Sequence, residues 1–506
     1  MIAITSNFSQ VYQRQWTGRQ ALAIEGYTPH GQRRHDMSCS DIFANIFSTP
    51  DVSSIWSDRT RTANYLRFEG CLARVQGHLN IIPIDAAVEI DAFCADVDNV
   101  DFEKLRRDTE RIGYPVLGLV QQIVRQVNIG HPGLGEWAHY GTTTQVTLPS
   151  PGGKIWVELT AGWEQDVTDT ATVLQLASTL EIVSASLRDI VESLGALAKH
   201  HAATPMAARS NLQQAVPMTL GFKLARLLAT FQRHQHRLEQ LQPRVLVLEF
   251  GGAAGTLASL AADKALPCQE ALAKCLGLSA PEIAWHTERD RIAEVGGFFA
   301  LLTGTCAKFA TDVKLLMQTE VAELSEPFHD QRGSSSTMPQ KRNPISCAYI
   351  TAMAASVRSH CGALYEAMVA DHERSTGPWE IEWIVLPEIS KLTCATLKHT
   401  ADLVAGLEVH PGAMEKNLSV TKGGIVSEAV MMALADKMGR QVAHDLVYDL
   451  CRRSAKEDVP LLELLCADDK VASAGLERDE LRWLCEPANY LGLSVDMVER
   501  VIGGGW

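Results

Sequence analysis

From Asp166 onward, apolar residues recur at every third or fourth position for longer than a single globular helix needs. Val173, Leu174, Leu176, Leu180, Ile182, Val183, Leu187, Ile190, Val191, Leu194 and Leu197 share one broad face, the stripe that an amphipathic helix buries. Two stretches of similar length follow, Met218 to about Leu241 and Glu294 to about Leu324. Patterns this long predict a helical bundle, shared between subunits. Strand signals are few and no internal repeat is found, so the fold class is mainly α.

The rest of the chain divides around that bundle. Residues 41–133 carry shorter helical stretches, such as Thr60 to Gln76 with Leu66, Leu72 and Val75, punctuated by Pro83, Pro115 and Pro132. They read as a small helical N-terminal domain, with the bundle domain spanning 134–394. From about Ala395 the pattern returns to shorter helices, with breaks at Pro411, Gly423-Gly424 and Pro460. A length of 506 residues with 46% apolar composition suffices for that division, at about 150 residues per domain. Residues 1–40 read as an irregular N-terminus. Arg14, Arg19, Arg33 and Arg34 against Glu25 and Asp36 give only a faint transit-peptide bias.

Charge and cysteine usage narrow the function classes. A formal net charge of -14 repels phosphate polyanions at long range and argues against nucleic acid and anionic membranes as partners. No uninterrupted run of about 18 apolar residues suggests a membrane span. The twelve cysteines form no C-x-x-C pair and no Cys/His spacing of the zinc type. Reduced thiols in a cytoplasmic protein are expected, without disulfide or metal.

Against this acidic background one basic loop stands out: Arg332-Gly333-Ser334-Ser335-Ser336-Thr337-Met338-Pro339-Gln340-Lys341-Arg342-Asn343-Pro344. Hydroxyls beside three cations can donate many hydrogen bonds to carboxylates but cannot form a core, so the segment reads as an anion-handling lid. On composition alone it would be a solvated connector. The order of its residues resembles the Gly-Ser-Ser-x-Met-Pro-x-Lys-x-Asn loop of the fumarase/aspartase superfamily. One departure is visible: aligned from Met338, the family's glycine falls on Ser334, with Gly333 one place earlier.

Other segments are similar to the same superfamily. His139-Tyr140-Gly141-Thr142-Thr143-Thr144-Gln145, resumed at Asp166-Val167-Thr168-Asp169-Thr170, resembles its His-Tyr/Trp-Gly-x-Thr-Ser-x-Asp turn. Hydroxyls and free amides at the start of a long helix suit carboxylate binding, although simple capping by Thr and Asp would explain the segment if it stood alone. Arg209-Ser210-Asn211-Leu212-Gln213-Gln214-Ala215-Val216-Pro217 resembles the Gly-Arg-Thr-His-x-Gln-x-Ala-x-Pro segment, with Asn211 where many relatives place a catalytic histidine. A neutral amide is no general acid near neutral pH, so a histidine-dependent elimination does not carry over. Phe250-Gly251-Gly252-Ala253-Ala254-Gly255-Thr256 would let backbone approach a ligand or another helix. The stretches 371–380, with His372, and 424–434 resemble the branch containing 3-carboxy-cis,cis-muconate cycloisomerase and adenylosuccinate lyase. Without the resemblance, a His-Glu-Arg cluster is a surface ion-pair network.

The resemblance implies a three-domain fumarase/aspartase-like fold and a homotetramer whose sites are shared between subunits, with no metal or organic cofactor. It makes Ser335 the acid/base serine of the lid, beside Ser336, with Lys341 and Asn343 binding substrate carboxylate. Arg342, Met338, Thr143, Thr144, Arg209, Ser210, Asn211 and Gln214 are further binding candidates. A serine hydroxyl is a poor acid unless neighbours shift it, so His139 and His372 stand as alternative proton donors. Within the branch the pattern resembles the fungal trans-aconitate decarboxylase family, implying a tricarboxylate substrate that loses carbon dioxide to give itaconate. A 3-carboxymuconate cycloisomerase is the alternative, and a superfamily scaffold without activity the third reading.

One anomaly interrupts the site. Relatives run from the Thr-Ser/Thr-Gln turn directly into Asp-x-x-Asp-Thr, whereas residues 146–165 intervene here. Val-Thr-Leu, Pro-Ser-Pro-Gly-Gly and Lys-Ile-Trp-Val-Glu-Leu have strand-turn-strand character. The preferred reading is a translated intron: valine codons begin with GT, glutamine can be CAG, and Leu159-Thr160 permits a branch-point sequence. A whole number of codons keeps the frame.

Overall fold

The structure is a computed structural model that describes residues 41–142, 164–327, 333, 337, 338 and 340–504. The expected N-terminal irregular segment lies outside the described residues, as does most of the 146–165 insert. After α1 (Ala44–Phe47) and α2 (Pro50–Ile55), helix α3 spans Asp58–His78, slightly longer than the stretch read from the sequence. Ser57 starts it by accepting the Thr60 amide hydrogen, a side-chain cap for an otherwise orphan donor. Helices α4 (Ile84–Cys94), α5 (Phe102–Ile112) and α6 (Pro115–Gly130) follow. Pro115 sits in the first turn of α6, where its missing N–H costs nothing. With residues 248–276 they enclose one apolar core containing Phe68, Leu72, Ile90, Leu119, Ile123, Phe250 and Leu272.

Five long helices build the second core: α7 (Gln165–His200), α8 (Leu220–Val245), α10 (Asp290–Leu316), α11 (Ile345–Ala367) and α12 (Pro378–Ala405), with α9 (Ala262–Leu276) belonging to the first. The apolar face read on α7 is what the bundle buries, from Val173 and Leu176 through Leu187 to Leu194. Its first turns differ, because Val167, Ala171 and Leu174 point into the N-terminal core. Helices α7 and α10 are long and apolar enough to cross a membrane by composition, but most of their large apolar residues are buried in the protein's own cores.

A hairpin joins α7 to α8. Strands β1 (Pro205–Ser210) and β2 (Gln213–Thr219) pair antiparallel with Ser210 opposite Gln213. That leaves Asn211 and Leu212 as a two-residue loop, both with positive φ, 50° and 64°, as a type I′ turn requires. A second short pair, β3 (Leu324–Ser325) with β4 (Glu408–Val409), ties the end of α10 to the end of α12. The chain therefore runs up α7, down α8, up α10, down α11 and up α12.

The division drawn at residue 395 falls inside α12, which continues to Ala405, because Leu397, Leu403 and Val404 still face the bundle core. Beyond it, α13 (Pro411–Leu418) starts at Pro411, and the glycine break is a left-handed turn at Gly423, φ 94°. Helices α14 (Ser427–Met438), α15 (Arg440–Glu457), α16 (Leu461–Cys466), α17 (Asp469–Ser473) and α18 (Arg478–Leu484) surround a third, smaller core of Val430, Leu434, Val447, Leu450 and Leu465. The last helix, α19 (Ser494–Ile502), returns to the bundle, where the Val501 carbonyl accepts from Gln232 on α8.

Candidate active site

Sites are gathered at the two opposite ends of the bundle. At the first end, His139 adopts a left-handed conformation, φ 62°, and is buried. Its Nδ1 lies 2.5 Å from Glu69 Oε1 on α3. Burial alone would lower the imidazole pKa, but the Glu69 carboxylate outweighs it and the net shift is upward. Gln76 donates to the Tyr140 carbonyl (2.6 Å) and Ser259 to the Gly141 carbonyl (3.1 Å). The His-Tyr-Gly turn is thus clamped from α3 and from the loop before α9.

The first turn of α7 adds a buried ionic cluster. Asp166 accepts the amides of Gly251 (3.3 Å) and Gly252 (2.9 Å) through one oxygen. The close backbone approach allowed by the glycine-rich segment therefore serves a carboxylate of the protein itself. The other Asp166 oxygen is 2.5 Å from His286 Nε2, which also lies 3.1 Å from Glu249. Burial, with Asp166 and Asp169 nearby, pushes the Glu249 carboxyl well above the usual range. Three donor atoms from Asp166, Glu249 and His286 lie within 4.8 Å of one another, a spacing that could hold a small cation. Arg374, 3.9 Å from Asp166, brings positive charge to the same cluster. Asp169, three residues on, pairs with Arg289 (2.7 Å), which pairs in turn with Glu382 on α12 (2.5 Å), and Trp379 donates to Asp169 (2.9 Å).

Glu164 and Gln165, the last two residues of the insert, occupy defined places beside this cluster. Gln165 donates to the His286 carbonyl at 2.6 Å. The Glu164 carboxylate accepts the amides of Val116 (2.5 Å) and Leu117 at the start of α6. Burial raises its pKa to about 7 against those two hydrogen bonds. His372 belongs to the same end, exposed on a left-handed turn, φ 52°. Two residues later Arg374 donates to the Gly252 carbonyl at 2.5 Å.

The remaining described candidates lie at the other end. Arg209 on β1 makes a two-point contact with the buried carboxylate of Glu323, 2.6 and 2.9 Å. Asn417 donates to the same carboxylate (2.8 Å), while Gln214 donates to the Asn417 carbonyl (2.8 Å). Arg209 and Gln214 thereby anchor the hairpin and leave Ser210 and Asn211 at its tip. In the segment read from the sequence as a lid, the Asn343 backbone and side-chain nitrogens both donate to the Gly333 carbonyl at 2.9 Å. Gly333 is left-handed, φ 70°, and a Cβ there would stand 2.5 Å from the Asn343 carbonyl oxygen, so only glycine fits. Arg342 reaches the Glu326 carbonyl (3.1 Å) and the Glu408 carboxylate (3.3 Å), and Glu326 in turn accepts the amides of Ser346 and Cys347 at the start of α11. Met338 and Lys341 are exposed, with the Lys341 amide bonded to the Met338 carbonyl. Ser335, Ser336, Thr143 and Thr144 lie outside the described residues.

One chain therefore does not bring the candidates together. His139 and His372 stand at the Asp166 end; Arg209, Ser210, Asn211, Gln214, Met338, Lys341, Arg342 and Asn343 stand beyond the His200 end. Between them runs α7, 36 residues, about 54 Å at 1.5 Å per residue. Sequence reading missed Glu69, Glu249, His286, Arg289, Glu323, Glu326 and Glu382. None belongs to a motif that marks a site, and only folding reveals that the seven are buried partners. The Asp166-x-x-Asp169 spacing was the one visible signal.

The geometry has the shape of a lyase built on a long-helix bundle, and comparison with known proteins agrees. Residues 48–359 match the lyase family and residues 423–501 match the adenylosuccinate lyase C-terminus. The chain belongs to this lyase family and is an enzyme of the fumarase/aspartase superfamily. It is 54% identical over 466 residues to an uncharacterised protein of Schizosaccharomyces pombe, covering 92% of this chain and 98% of that one. It is 53% identical over 459 residues to trans-aconitate decarboxylase 1 of Mycosarcoma maydis, covering 91% of this chain and 88% of that protein. The crystal structure of 3-carboxy-cis,cis-muconate lactonizing enzyme from Pseudomonas putida superimposes with a TM-score of 0.82 at 37% identity, covering 92% and 98% of the two chains.

Proposed function

We propose that this lyase decarboxylates trans-aconitate to itaconate. The observation that carries the reading is Asn211, an amide at the tip of the β1–β2 hairpin, where many relatives by resemblance hold a catalytic histidine. Decarboxylation does not require a base to remove a carbon-bound proton. The bond between the methylene carbon and its carboxylate breaks, carbon dioxide leaves, and the electron pair spreads through the double bond onto a remaining carboxylate. One proton delivered to the carbon beside that carboxylate gives itaconate. What the protein must supply is preorganised positive charge and hydrogen-bond donors for the dienolate. By resemblance Lys341 and Asn343 take this role and the lid's Ser335 is the proton donor, with His139, held toward its charged form by Glu69, as the second candidate. The 53% identity to the Mycosarcoma maydis decarboxylase supports the same substrate.

The working form in this reading is a cytoplasmic homotetramer. A single chain separates the His139 end from the lid by the length of α7, so a site using both needs a lid from another copy.

Proton NMR of the purified chain with trans-aconitate tests the proposal through the vinyl protons of itaconate. Turnover of 3-carboxy-cis,cis-muconate instead would establish the second reading, which the 37% identity to the lactonizing enzyme supports. Binding of both acids without turnover would identify a scaffold that has lost catalysis. Deleting residues 146–165 joins Gln145 to Asp166 and sets Thr144 where Glu164 now stands. If the insert is a retained intron, that deletion raises activity; unchanged activity makes the insert a dispensable loop, and lower activity a working part of the enzyme.

A further inference from the structure

Outside both ends of the bundle, two thiols meet at one cation. Cys71, buried in the middle of α3, and Cys275, half-buried at the end of α9, point their sulfurs at the same guanidinium nitrogen of Arg74, at 3.1 and 3.3 Å. Asp91 holds Arg74 from the far side, 2.9 and 3.1 Å, and Arg67 fixes the end of α9 through the Leu276 carbonyl. Two sulfurs from different helices are thus kept adjacent beside a half-exposed positive charge.

We propose that Cys71 and Cys275 form a reversible dithiol/disulfide site whose oxidant is a small-molecule disulfide of the glutathione class. Cys275, the more exposed sulfur, attacks the small disulfide; one small thiol leaves, taking up the proton that Cys275 gives up. Cys71 then attacks the Cys275 sulfur of the mixed disulfide, expelling the second small thiol and closing the Cys71–Cys275 bond. Two protein thiols and one small disulfide become one protein disulfide and two small thiols, so electrons and protons balance. Arg74 stands against both sulfurs throughout the exchange. Burial first, and then the neighbouring Cys275, push the Cys71 thiol up to about 12, so Cys71 is the sulfur that stays protonated until the mixed disulfide forms.

The position gives the bond something to act on. Cys71 lies between Glu69 and Gln76 on α3, the two residues that hold His139 and the Tyr140 carbonyl. On α9, Gln269 holds the Phe250 carbonyl of the glycine-rich loop (2.7 Å). A covalent tie between α3 and α9 therefore joins the two supports of the His-Tyr-Gly turn.

The test is native full-length chain equilibrated with oxidised and reduced glutathione in graded ratios, acid-quenched and peptide-mapped. The expected result is a cross-linked Cys71–Cys275 peptide pair, reversed by dithiothreitol, with no lasting glutathione. C71S should trap glutathione on Cys275, and R74Q should slow cross-linking several-fold. Cys485, pushed up to about 11 by burial, is the internal control and should stay free. Glutathione accumulating on Cys275 of the unmutated chain while Cys71 remains open to alkylation would overturn the proposal. So would a native map in which Cys485 reacts before either sulfur of the pair.

Discussion

Arg289 is enclosed between Asp169 and Glu382, with the Trp285 ring 5.0 Å from its guanidinium carbon. Removing it would strand two buried carboxylates, and an uncompensated buried charge costs far more than a surface pair contributes. R289L is expected to lower stability by roughly 3–5 kcal/mol, read from urea unfolding. Adding D169N and E382Q to R289L should recover most of that loss, because the unpaired charges go with it. Glu164 makes a different prediction. Its pKa is raised by burial from 4.5 to about 7, so between those values the folded state keeps a proton that the unfolded chain has released. Stability then falls as pH rises through that window and is level above it. Relative to E164Q, the parent chain should lose roughly 3 kcal/mol across it; parallel stability curves for the two chains would refute the raised pKa. Neither residue announces itself in the sequence, since a lone arginine or glutamate reads as solvated until its partners are known.

Among the elements, the β1–β2 hairpin is one that sequence patterning left undescribed. Its strands do not alternate apolar and polar residues cleanly, and its turn is Asn211-Leu212 in place of the favoured Asn-Gly. Leu212, exposed and at φ 64°, holds a conformation that L side chains resist by roughly 1–2 kcal/mol. L212G is therefore expected to stabilise the protein by about 1 kcal/mol, seen as a raised thermal midpoint. A lowered midpoint would mean that the leucine packs against something, as a neighbouring copy would provide. The long helices were far more legible. The apolar face of α7 was identifiable in the sequence apart from Leu174, which faces the N-terminal core, because a 3.6-residue period sustained for that distance has no other reading. Their exact ends were not, since α10 stops at Leu316 and α12 runs to Ala405, decided by where the neighbouring helix stops offering a surface.

For the whole molecule, the separation of the two candidate clusters makes a direct prediction. A chain carrying H139A and a chain carrying K341A should each be nearly inactive, yet mixing them under conditions that exchange subunits should restore a measurable fraction of activity. Recovery is possible only if a site takes its turn from one copy and its lid from another; no recovery from a verified mixed oligomer would place the site within one chain. The sequence by itself determined the helical class and the superfamily, because periodicity and local motif order are properties of short stretches. It also made Asn211 visible as a departure. Only the tertiary structure decided that Asp166 meets His286 and Glu249, that Arg289 bridges two acids, that Arg209 is engaged by Glu323, and that Cys71 meets Cys275 at Arg74. Those partners are far apart along the chain, and their charges and hydrogen bonds acquire meaning only when folding removes the water between them.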